Sequence, residues 1–139
     1  LYRSRRPRIM ASILKVDTIT GVATAGSIAI TGEGNSTTTN LQQGLCKAWA
    51  DAENDATRND SLNIASGTDN GTGDYVYAFV NVMNSALYVT LMSGSYANIT
   101  QFDNGEQATT SYTVRGFSRA DSLTNSDHPN HSGVFGDLA

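Results

Sequence analysis

Apolar residues along this chain recur mostly at every second position, in short runs punctuated by Gly, Asn and Asp. That period predicts strands. Near the start, residues 13–19 and 27–31 form two such runs, separated by Gly21 and the Ala25-Gly26 pair, with Ile28 and Ile30 on one face of the second. Residues 32–40 offer nothing to bury and read as a linker or long loop. An arm of this kind is too small to fold alone, so its partner strands are expected on another chain.

Residues 41–54 are ambiguous. Leu41, Leu45, Trp49 and Ala52 recur at helical spacing, whereas Cys46, Ala48, Ala50 and Ala52 alternate with Lys47, Trp49, Asp51 and Glu53 as in a strand. Periodicity alone leans toward helix, and Gly44 weakens it slightly. Further on, Leu62 and Ile64 alternate with polar neighbours. The Asp69-Asn70-Gly71-Thr72-Gly73-Asp74 stretch then predicts a tight hairpin turn, because Asn and Gly tolerate the positive φ that a reversal needs. Residues 74–83 give the strongest strand signal: Tyr75, Tyr77, Phe79 and Met83 point to one side, and Val76, Ala78, Val80 and Val82 to the other. With both sides apolar, one should cover the domain's own core and the other a second layer or a neighbouring subunit. Residues 87–92, 96–102 and 111–117 add three more strands. The tail over 119–132 reads as polar and irregular, with a last short β segment at Val134-Phe135.

Composition supports this outline. Ser, Thr and Asn supply 42 of the 139 residues and Gly another 13, a mix that suits turns and solvated strand faces better than helix interiors. The expected fold is an all-β antiparallel sandwich, jelly-roll-like or a meander, over residues 44–139, preceded by an extended arm and linker over 11–43 and a basic leader over 1–10. The leader carries Arg3, Arg5, Arg6 and Arg8 and no acid, which leaves five bases against thirteen acids, a net of −8, for the rest. Such a body repels a phosphate backbone, so nucleic acid is not an expected partner. Met10-Ala11-Ser12 reads like a natural start, which makes residues 1–9 either upstream sequence or a flexible basic arm. No apolar run approaches the length needed to span a bilayer, so no membrane insertion is expected.

Candidate chemistry is sparse. Cys46 stands alone, and a nucleophilic role would need an adjacent His with a third group to orient it. Only His128 and His131 are available, both in the polar tail, so a structural thiol is expected. The same two histidines with Asp127 are weak metal candidates, but the intervening Pro129-Asn130 argues for a solvated loop. Two carboxylates for glycan cleavage could be drawn from any acidic chain. Tyrosines including Tyr88 and Tyr96 could stack on a sugar, against the plainer reading of core packing. No enzyme activity and no cofactor are expected.

Two stretches carry a resemblance. The segment Met10-Ala11-Ser12-Ile13-Leu14-Lys15-Val16-Asp17-Thr18-Ile19 resembles the opening of tail-fibre and virion structural proteins of marine phages, cyanophages among them. Lys47-Ala48-Trp49, followed by residues 61–66 and then Thr68-Asp69-Asn70-Gly71-Thr72-Gly73-Asp74-Tyr75, is similar to a recurrent β-module of the same group. The resemblance implies an N-terminal segment that joins the particle and a displayed β-domain in a homotrimeric virion protein, and it tips 45–53 toward a strand. Residues 76–78, 81–87 and 127–131 depart from the usual pattern. The expected function is a phage virion structural protein, a tail-fibre or appendage module; the alternatives are a receptor- or glycan-binding tip and a capsid decoration or head-fibre protein. Its expected partners are itself, other virion proteins and a host-surface glycan or protein. The expected oligomer interface comprises Ile13, Val16, Ile28, Ile30, Val76, Val80 and Val82.

Overall fold

The computed structural model describes residues 14–21, 28–31, 38–94, 98–102, 106–119 and 124–138. Nearly all of its regular structure is strand: β1 (Ala29–Thr31), β2 (Thr38–Asn40), β3 (Cys46–Ala52), β4 (Arg58–Leu62), β5 (Ile64–Gly71), β6 (Asp74–Phe79), β7 (Val89–Gly94), β8 (Asn98–Phe102), β9 (Ser111–Ser118), β10 (Thr124–Asn125) and β11 (Asn130–Phe135), with a single helical turn, α1 (Leu41–Gly44). All pairings are antiparallel. One sheet runs β4-β3-β11-β7. The other is built on β9, which pairs with β6 through residues 111–115, with β8 through 114–118 and with β10 at 117–118; β5 pairs the far side of β6. Packed face to face, the two sheets form an all-β sandwich, while β1 and β2 make a separate hairpin.

The helix-or-strand ambiguity at 41–54 resolves to both. One helical turn occupies Leu41–Gly44, and the following residues form β3, whose Ala48, Ala50 and Ala52 point inward. Facing these alanines are the large side chains of the other sheet: Tyr75, Tyr77 and Phe79 from β6, and Tyr112 and Val114 from β9. Small residues opposite bulky ones let the layers interdigitate at interior density. Tyr112 sits between Tyr77 and Phe79, with ring centroids 5.5 and 5.4 Å away.

Each core tyrosine also carries a hydroxyl that must find a partner once buried. Tyr77 donates to Asn130 Oδ1 at 3.0 Å, and Tyr112 shares a 2.7 Å hydrogen bond with Ser132 Oγ. Both partners lie on β11, so the phenols bolt one sheet to the other. The tail expected to be irregular over 119–132 therefore holds a central strand. Its inward residues, Asn130 and Ser132, are polar yet buried, with the opposing phenols satisfying Asn130 Oδ1 and Ser132 Oγ, while Asn130 Nδ2 is buried without a hydrogen-bond partner among the described residues.

Three further expectations are corrected. The polar stretch over 32–40 is not all linker: Thr38–Asn40 pair with Ala29–Thr31, since a strand ladder satisfies backbone groups whether or not the side chains are buried. The strand starting at Asp74 stops at Phe79. There the Asn63 side chain accepts from Asn81 N at 2.7 Å and donates to Asn81 O at 3.0 Å, while Val80 N bonds Asn63 O, and the ladder gives way to a bend. Val80, 62 % exposed, and Val82 therefore do not continue the face that carries Val76.

Burial pushes the Tyr77 and Tyr88 phenols up to about 12 and raises Tyr75 and Tyr112 as well. The unfolded chain ionises its tyrosines first, near pH 10, so between about pH 10 and 12 it binds fewer protons than the fold and stability falls as pH rises. Thermal melts should hold their midpoint up to about pH 10 and drop steeply above it. A midpoint unchanged through pH 12 would mean these phenols are not sealed in the core.

Candidate functional site

The outward face of the β4-β3-β11-β7 sheet is the most distinctive surface of the domain. Strand alternation turns Trp49 and Asp51 outward on β3, His131, Gly133 and Phe135 on β11, and Val89, Leu91 and Ser93 on β7. Register then aligns them in rows. Leu62, Trp49, Gly133 and Leu91 form one row, in which the two leucines are exposed; Asp60, Asp51, His131 and Ser93 form the next. Gly133 has no side chain, and a methyl group built on it would touch nothing closer than 3.8 Å. Cys46 Sγ and the Phe135 ring flank that position, and a shallow channel of about 280 Å³ opens beside it between β11 and β7, lined by Leu91, Ser93, His131 and Gly133.

At the polar end, Asp51 and Asp60 stand directly opposite in register, a like-charge pair that is unfavourable on a sheet. His131 Nε2 lies 3.3 Å from Asp51 Oδ1. Both side chains are largely solvated, so this contact contributes little to stability.

A second constellation is buried beneath the β5–β6 hairpin. The turn falls on Thr72 and Gly73, with Gly71 opposite Asp74 and a bulge at Asn70. Asp127 Oδ1 accepts from Gly73 N at 2.6 Å and from the Tyr75 hydroxyl at 3.1 Å; the His128 amide donates to the same hydroxyl. Gly73 O and Gly116 O accept in turn from Gly116 N and Ser126 N. On the outer side Arg115 bridges Asp74 and Glu106. The hairpin motif is thus a clasp that holds the tail against β9.

His128, read from sequence as part of a solvated loop, is only 2 % exposed. Its ring lies between two glycines: a methyl group on Gly94 would fall 2.8 Å from Nε2, and one on Gly116 would fall 2.7 Å from Cε1. The Nδ1 atom is 3.1 Å from Ser126 O. Nε2 and Thr100 Oγ1 are both buried without a hydrogen-bond partner among the described residues. The loop reading failed because no sequence signal announces a slot made from glycines on β7 and β9.

Other sequence candidates are dispersed. His131 is exposed while His128 is buried, so the two do not converge, and among the described residues no three His, Cys, Asp or Glu side chains are placed to hold a metal ion. Cys46 is half-buried, its thiol 3.0 Å from Ala48 O. Tyr88 does not form an exposed ligand platform: it is 7 % exposed, packs edge-on against Phe79, and bonds Ser111 O at 2.8 Å. Tyr96 and Ile13 lie outside the described residues. Val16 and Ile30 are exposed, Ile28 and Val76 half-buried. Sequence reasoning missed the surface built from Trp49, Leu62, Leu91 and Gly133. Alternation could have turned each residue outward, but no local signal places β11 between β3 and β7. No family model, curated protein or solved structure matches this chain.

Proposed function

We propose that this chain is a structural protein of a phage particle, a non-catalytic tail-fibre or appendage module that works by assembly and display. The observation that carries the reading is a division of labour along the chain. Residues from Cys46 onward bury a tyrosine-rich core and satisfy its hydroxyls internally, whereas the segment ahead of them leaves Leu14, 78 % exposed, together with Val16, Ile19 and Ile30 in solvent. Apolar side chains presented by a terminal segment suit attachment to another surface. The resemblance of residues 10–19 to the openings of phage virion proteins supplies the biological setting.

The test is the composition of purified particles. Labelling intact virions with an antibody to the β-domain and imaging them by electron microscopy should place the chain on a tail fibre or appendage. Label on the capsid would move it to a decoration role, and particles lacking the chain would end the virion reading.

A further inference from the structure

The same chain presents two apolar surfaces that its own fold leaves open: the segment carrying Leu14, Val16 and Ile19, and the sheet face carrying Leu62 and Leu91, the latter 59 % exposed. We infer that the channel beside Gly133 is the docking site for the N-terminal segment of a second copy of this chain. The inference rests on the virion reading only for its setting, and it names the contact by which such a module would assemble.

Three features favour this occupant. The first is shape: a depression of about 280 Å³ lies open between β11 and β7, lined by Gly133, His131 and Ser93 and next to the exposed Leu91. The second is length. Leu14 to Ile19 in extended form covers roughly 17 Å, at about 3.3 Å per residue, comparable with the roughly 13 Å from His131 to Phe135 along β11. The third is charge. The channel ends at the Asp51–Asp60 pair, and the segment that would fill it carries Lys15 and is preceded by Arg3, Arg5, Arg6 and Arg8, the densest basic run in a chain that is otherwise net negative. A cationic strand entering there relieves the opposed carboxylates. Two bare faces pressed together would instead set four carboxylates against one another. Reciprocal donation gives every copy one segment given and one received, which closes a symmetric assembly.

The experiment is the solution mass of the full chain by light scattering, with three single variants at exposed positions: Leu91→Asp in the receiving face, Val16→Asp in the donated segment, and Val80→Asp as a control outside both. Circular dichroism verifies the fold of each. The wild type and Val80→Asp should be oligomers that weaken with added salt, whereas Leu91→Asp and Val16→Asp should each fall to the 14.8 kDa single chain. Mixing those two variants should restore association, because one retains an intact segment and the other an intact face. A wild type that stays a single chain at all concentrations overturns the inference, as does a Val16→Asp variant that stays assembled or a mixture that does not associate. Particle labelling reports separately on the virion reading: a chain found outside virions that still complements in the mixture sinks that reading alone.

Discussion

Replacing Tyr112 with alanine is expected to remove about 3–5 kcal/mol of stability, a large part of the roughly 5–15 kcal/mol that holds a domain of this size folded. The ring is fully buried, stacks between Tyr77 and Phe79, and faces the alanines of β3. Those alanines are too short to close over the void, so the cavity cost adds to the lost transfer energy. Tyr112→Phe separates the two parts of the interaction. It keeps the ring and leaves Ser132 Oγ without the phenol that faces it at 2.7 Å, with an expected cost of about 1–3 kcal/mol. Urea denaturation of both variants measures the difference. A Tyr112→Ala protein within 1 kcal/mol of wild type, on the order of an ordinary surface substitution, would show that the sheets are not held together through this ring.

Gly73→Ala carries the second large effect, and its origin is backbone rather than core. Gly73 has φ +67°, where an L-residue costs about 1–2 kcal/mol, and a methyl group there would sit 2.3 Å from Gly116 O and 3.0 Å from Ser126 N. Both neighbours are main chain fixed by the clasp of Gly73, Gly116 and Ser126, so neither can swing away, and overpacking adds about 1–3 kcal/mol. The total should be about 2–5 kcal/mol, read as a drop in the denaturation midpoint. Gly71→Ala is the control. Its φ of +132° is also strained for alanine, but nothing lies within 4 Å of the added methyl group. A Gly73→Ala loss no larger than the ~1–2 kcal/mol that its φ alone carries would mean that the clasp contributes nothing measurable.

These two sites differ in how far local sequence reveals them. The Asp-Asn-Gly-Thr-Gly-Asp hairpin was legible because positive φ and tight reversal are local demands, met by residue types that can be read without knowing the fold. The inward face of Tyr75, Tyr77 and Phe79 was legible because strand period is local too. The clasp was not, since Asp127 and Ser126 meet Gly73 and Gly116 only after the tail has folded back across the sheet.

Sequence by itself determined the all-β character, the positions of most strands and turns, the aromatic side of β6 and the charge contrast between leader and body, because all of these follow from residue type and spacing. Only the tertiary structure decided that the polar tail becomes the strand between β3 and β7. Asn130 and Ser132 read as solvated until Tyr77 and Tyr112 stand opposite them, for burying the Asn130 carbonyl and the Ser132 hydroxyl is costly without a partner, and that partner is more than fifty residues from Asn130 along the chain. The same placement of β11 brings Trp49, Gly133 and Leu91 into one row. Adjacency across a sheet is a property of pairing, which no single strand encodes.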